Sequence, residues 1–139
     1  MKFNIMYLRM INKIACTFVL LTVIVSFAGA QDDIVKCLKS SFKTGSIKEL
    51  SPYLGPRTEI AFNGDKKIYG KASAEQVLGN FLIENKPKDF QILHQGASKE
   101  GLKFYIGEMT AATGIHRVLV YLRNSSDKVL METIDISKE

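Results

Sequence analysis

The residues that could do acid–base chemistry gather in the C-terminal third of the sequence. His94, Glu108, Arg117, Tyr121 and Glu132 lie in four strand-like runs, 89–98, 102–110, 115–123 and 128–137. Set among apolar neighbours, such a mixture can line a ligand pocket. His94 is placed to act as a base and Glu132 to orient it. These five are the candidate pocket residues. The structural alternative makes Glu108 and Arg117 a cross-strand ion pair and leaves His94 exposed or satisfied. His116 opposite Asp135 reads as a surface pair.

These side chains can meet only if the runs form one sheet. The intervening breaks, 99–101, 111–114 and 124–127, are hairpin-length. Symmetric closure puts Ser98 opposite Leu102, Thr110 opposite Ile115 and Arg123 opposite Lys128. One face then carries the five candidates with Phe90, Ile92, Phe104, Ile106, Leu119, Leu130 and Ile134. The other carries Leu93, Gln95, Tyr105, Met109, His116, Val118, Val120, Leu122, Met131, Thr133 and Asp135. A one-residue bulge would exchange members between faces. Both faces are largely apolar. Helices can cover one, and a second copy of the chain is the simplest cover for the other.

Upstream, Asp32 and Asp33 can cap a helix that buries Ile34, Cys37, Leu38 and Phe42 and stops at Gly45. A short helix follows over 46–53. Thr58–Asn63 and Lys67–Tyr69 read as a small hairpin around Asn63-Gly64-Asp65. Ser73-Ala74-Glu75-Gln76 has the form of a capping box. It opens a helix with Val77, Leu78, Phe81 and Leu82 on one stripe, ending near Asn85 before Pro87. Helices followed by a four-stranded antiparallel meander define an α+β domain with the helices on one face.

Other chemistry is sparse. Two separated histidines make a poor metal site, no phosphate-cradling glycine loop or serine elbow occurs, and no cofactor is expected. Lys66-Lys67 and Lys86-Pro87-Lys88 read as solvated turns. Tyr53, Tyr69 and Tyr105 read as core or rim aromatics.

The first 30 residues have a different character. Lys2, Arg9 and Lys13 precede an apolar run, 14–28, and then Ala28-Gly29-Ala30, the small-x-small pattern that a signal peptidase reads. The run is shorter than the ~20 residues that span a bilayer. Residues 1–30 are therefore expected to be a cleaved signal peptide, and 31–139 a single domain. Cys16 lies near the start of the apolar run, with most of the run after it, rather than at its end, which argues against lipidation there. The full chain carries 19 basic and 14 acidic residues, a net charge of +5; without the three leader cations the balance is 16 against 14, or +2. Such a near-neutral domain gives little support for nucleic-acid binding. One cysteine, Cys37, remains, so no internal disulfide can form; it reads as a small core residue.

The order of elements resembles the nuclear-transport-factor-2-like fold, also called cystatin-like. The run Lys88-Asp89-Phe90-Gln91-Ile92-Leu93-His94-Gln95-Gly96-Ala97-Ser98, then Tyr105-Ile106-Gly107, Gly114 with Arg117-Val118, the closing Ile134-Asp135-Ile136, and Gly70-Lys71-Ala72-Ser73-Ala74-Glu75-Gln76 upstream are similar to an exported bacterial domain-of-unknown-function family (DUF4783-like). The resemblance implies a cone of helices on a curved sheet. It implies no activity, because that fold hosts isomerases, dehydratases, cyclases and plain binding domains.

The expectation is thus an exported, periplasmic or extracellular binding domain. It has no catalytic residues and acts as a homodimer through a sheet face. It takes a small-molecule or glycan ligand, with no nucleic acid and no membrane contact after signal cleavage. The alternative is a small pocket enzyme of isomerase or dehydratase type. A closed pocket holding His94 with Glu108 or Glu132, and a carboxylate pushed upward by burial, would distinguish the enzyme.

Overall fold

The structure, a computed structural model, describes residues 29–139, so the expected signal peptide lies almost wholly outside the described residues. The chain divides into two units at residue 34. Of the first, only the helical residues 29–34 are described; the second, 35–139, is the domain. No helix among the described residues is long and apolar enough to cross a membrane.

Helix α1 spans Gly29–Thr44. It buries Leu38, Ser41 and Phe42, the i, i+3, i+4 pattern of an inward helical face. Cys37 is half-buried rather than a core residue, because it sits at the margin of that stripe. Gly45, at φ +76°, ends the helix and returns its amide to Ser41 O. The expected short helix resolves into two 3₁₀ turns, Ile47–Glu49 and Ser51–Tyr53.

Six strands follow: β1 Leu54–Phe62, β2 Asp65–Tyr69, β3 Pro87–Ala97, β4 Lys103–Ala111, β5 Gly114–Ser125 and β6 Lys128–Lys138. Helix α2, Lys71–Asn85, separates β2 from β3. Its N-cap is Gly70 and makes no side-chain cap bond, so the expected Ser73 box lies inside the first turn.

The expected four-stranded meander is instead part of a six-stranded open sheet, ordered β2-β1-β6-β5-β4-β3. The upstream hairpin joins it because β1 pairs in parallel with β6: Ile60 lies beside Ile134 and Phe62 beside Ile136. Asn63 and Gly64, both at positive φ (50° and 88°), make the tight turn of that hairpin. Long-range parallel pairing leaves no local sequence signal, whereas the antiparallel meander announces itself by its loops.

Symmetric closure holds between β4 and β5, where Glu108 faces Arg117 and Tyr105 faces Val120. It holds in the outer half of the β3–β4 hairpin, where His94 faces Ile106. Elsewhere it fails: the β5–β6 hairpin closes more tightly, on Ser126-Asp127, so Arg123 faces Leu130 rather than Lys128, and two internal bulges exchange faces. One between Ile92 and His94 turns Phe90 and Ile92 to the face of Met109. The other, opposite Tyr121 and Leu122, turns Ile134 and Ile136 toward Val120 and Val118, and Thr133 and Asp135 away.

Both helices lie on the same side of the sheet. Phe42 of α1 stacks on Phe90 of β3 at 5.1 Å, and Phe81 of α2 stacks on Phe62 of β1 at 5.1 Å. Beneath them Met109, Val118, Val120, Leu122, Ile134 and Ile136 are buried, with Leu78 and Leu82 from α2. Each such side chain contributes about 1.5–3 kcal/mol by leaving water. Among the described residues, no helix covers the opposite face. It presents Phe104, Ile106, Leu119 and Tyr121, all half-buried, with Ile68 and Ile115 59% and 41% exposed at its margins.

Candidate functional site

The C-terminal end of α2 passes over the sheet where β1 and β6 end and β5 begins. A cavity of about 480 Å³ opens there. Its apolar wall is Phe62, Val77, Phe81 and Ile136; its polar groups come from Asn63, Asn80, Glu84, Asn85, His116 and Lys138. An apolar body with a few convergent polar groups is the usual composition of a small-molecule site.

His116 is the central polar group. It is 6% exposed, and its ring meets that of Phe81 edge-on. The expected surface pair with Asp135 does not form. The β5–β6 hairpin turns on Ser126-Asp127, two positions out of the expected register, and its bulge adds a third, so His116 lies opposite Lys138 on the helix-covered face, while Asp135 lies beside Leu119 on the other.

The ring's tautomer follows from its partners. Asn85 Nδ2 donates to Phe81 O at 2.8 Å, which fixes the amide so that Oδ1 is the acceptor. Thr113 Oγ1 donates to that Oδ1 at 2.5 Å. A hydroxyl has one proton, so at Thr113 Oγ1 it is His116 Nε2, 3.1 Å away, that must donate. The neutral ring therefore carries its proton on Nε2 and leaves Nδ1 as a bare acceptor. Burial and, secondarily, the Lys138 ammonium hold the His116 pKa below its ordinary value of 6.5. The chain Asn85–Thr113–His116 also ties the end of α2 to the β4–β5 turn, where Ala112 N bonds Asn85 O at 3.1 Å.

Lys138 stands across the ladder from His116, and its backbone amide is held by Asn63 Oδ1 at 2.8 Å. No salt bridge engages the Lys138 ammonium among the described residues.

The five candidates from the sequence sit elsewhere. His94, Glu108, Arg117 and Tyr121 share the uncovered sheet face by register. Glu132, at the β6 bulge, joins them through a two-pronged pair with Arg123: Nε to Oε2 at 2.7 Å and Nη2 to Oε1 at 2.9 Å. Those hydrogen bonds, more than the charge, hold the Glu132 carboxyl below its ordinary range. The described hollows divide the group. His94 lines one of about 330 Å³ with Val35 and Lys39, while Glu132 lines one of about 260 Å³ with Pro56, Arg57 and Leu130. Glu108 and Arg117 are register partners, as symmetric closure expects, but no salt bridge is formed between them. No group of three or more histidine, cysteine or acidic side chains suited to a metal occurs among the described residues.

Asn85, Thr113 and Lys138 were not legible as site residues. The one available signal was positional: Asn85-Lys86-Pro87 stops a helix and Thr113-Gly114 closes a hairpin, so both had to be loop-facing polar groups.

The model of a domain of unknown function, DUF4783, matches residues 35–137. A DUF4783 family protein from Bacteroides ovatus is 30% identical, with a TM-score of 0.69 over 73% of this chain and 92% of its own. One from Bacteroides fragilis is 29% identical, with the same TM-score over 73% and 95%. A steroid delta-isomerase from Pseudomonas aeruginosa, 16% identical with a TM-score of 0.56 over 79% of each chain, shares the fold alone. No curated protein matches the chain.

Proposed function

The chain belongs to the DUF4783 family, domains of unknown function with a nuclear-transport-factor-2-like α+β fold, and from that premise we propose that it is an exported, non-catalytic binding domain holding a small amphipathic molecule under α2. The observation that carries this reading is the cavity itself: about 480 Å³, with an aromatic wall and a hydrogen-bonded histidine already fixed in place. Preset polar groups reduce the ordering cost of binding. The reading as a binder rather than an enzyme is supported by Glu132, whose carboxyl is held down by Arg123 instead of being raised by burial. Removal of residues 1–30 would deliver the domain to the periplasm or the cell exterior.

A homodimer through the uncovered sheet face belongs to the same reading. That face offers Phe104, Ile106, Leu119 and Tyr121 together with Glu108 and Arg117, one charge of each sign. A two-fold axis would let each copy's arginine meet the other's glutamate.

Thermal unfolding tests the ligand site. Octanamide should raise the melting temperature of the chain and should not raise that of Val77→Phe, which fills the wall of the cavity. Equal shifts in both proteins would place binding elsewhere.

A further inference from the structure

We infer that the ligand of this cavity is a monocarboxylate with an apolar body, and that it binds with uptake of one proton by His116. The inference rests on the cavity being the binding site and adds the chemical class of the ligand.

Two basic groups stand side by side at one end of an apolar enclosure. His116 and Lys138 are direct cross-strand partners on the cavity side, where side chains rise about 5 Å apart. Both line the cavity with Phe62, Phe81 and Ile136. The Lys138 ammonium has no acidic partner in a salt bridge among the described residues. The His116 ring has spent its Nε2 proton on Thr113, whose own proton is committed to Asn85. Nδ1 is therefore the one ring atom able to meet a ligand. It is not sealed in protein: the only buried unpartnered side-chain polar atom among the described residues is Ser41 Oγ.

A carboxylate beside Lys138 changes the balance at this ring. Without it, burial and the neighbouring ammonium keep the imidazole neutral. A negative charge within a few ångströms favours the imidazolium. A proton taken from solvent onto Nδ1 then donates to the carboxylate, while Nε2 keeps its bond to Thr113. The relay is unbroken in both states, so the coupling needs no rearrangement. The remaining charged group of the cavity is Glu84 on α2, on the helix wall rather than the sheet wall. From β1 the facing groups are Phe62 and Asn63, and Met109 of β4 lies beside His116; none carries charge. Glu139 follows Lys138 with its amide on Ile115 O.

Isothermal titration calorimetry of the full chain with octanoate and with octanamide, its neutral near-isostere, decides the matter. Octanoate should bind about tenfold more tightly than octanamide near pH 6, and that advantage should shrink toward pH 8 to the part supplied by Lys138. Titrations in two buffers of different ionisation heat should show proton uptake with octanoate and none with octanamide. Lys138→Gln should weaken octanoate several-fold and spare octanamide. His116→Gln should flatten the pH dependence, and Glu84→Gln should strengthen octanoate. Octanamide binding as tightly as octanoate, or octanoate binding without proton uptake, would overturn the carboxylate inference and leave the binding site standing. Binding of neither molecule would overturn both.

Discussion

The imidazole of His116 meets the ring of Phe81 edge to face, centroids 5.5 Å apart and planes at 88°. An edge-on imidazole packed under a helix is easier to keep neutral than charged. Burial first, then Lys138, lowers its pKa from 6.5. The unfolded chain therefore binds the proton more readily than the folded one. Stability is full above the unfolded pKa and falls as the pH drops through 6.5 toward the lowered folded value. Urea midpoints at about pH 7.5 and pH 5 should show this loss in the wild type. His116→Gln should show a smaller loss over the same interval; an identical loss would place the titrating group elsewhere.

Gly107 lies directly under Phe90, and a Cβ there would come within 2.3 Å of Cζ and 2.6 Å of Cε2. The ring cannot retreat, because Phe42 stacks on it from α1. Gly107→Ala should cost about 1–3 kcal/mol or more through overpacking. Phe90→Leu in the same chain should recover part of that loss, since the ring is the nearest obstacle, with Gln91 O next at 3.0 Å. Denaturant unfolding of the single and double variants checks the coupling.

Thr113 donates to Asn85 and accepts from His116. Thr113→Val removes both bonds while keeping the shape. Because the Asn85 bond is exposed and water can replace it, the loss should be about 0.5–1.5 kcal/mol. It should also release the tautomer: nitrogen-15 spectra of the His116 ring should change from the Nε2–H form to a mixture. A wild-type ring already in mixed tautomers would contradict the relay.

How much of this was legible in the sequence depended on distance along the chain. The β4–β5 loop sets its register, so the sequence alone puts Glu108 opposite Arg117. The stripe holding Phe81 and Leu82 is helical, and Gly45 ends a helix, as their local spacing alone indicates. The failures come from a tighter β5–β6 turn, two bulges and one parallel pairing. The tighter β5–β6 turn and the β6 bulge together set His116 opposite Lys138 instead of Asp135, and the bulge exchanges Ile134 and Ile136 with Thr133 and Asp135 between the faces. A bulge is one extra residue in a ladder, and alternation alone does not reveal where it falls. The pairing of β1 with β6 joins segments more than 70 residues apart, which no local pattern reports. Nor does alternation say which of two apolar faces the helices cover, and that choice decided between the His94 group and His116.

The uncovered face carries the dimer proposal. Sedimentation equilibrium at about tens of micromolar should give a dimer mass. Leu119→Arg, a half-buried position at the centre of that face, should shift it to monomer without lowering the melting temperature of the monomer. A wild-type monomer throughout that range would end the proposal.

The ligand site itself is tested most directly by protein-observed NMR with octanamide and octanoate. Resonances of Phe62, Phe81, His116 and Ile136, the wall of the cavity, should shift in a saturable way, with intermolecular contacts from the alkyl chain to Phe81. Saturable shifts confined to Phe104, Leu119 and Tyr121 on the opposite face, with the cavity resonances unmoved, would contradict it.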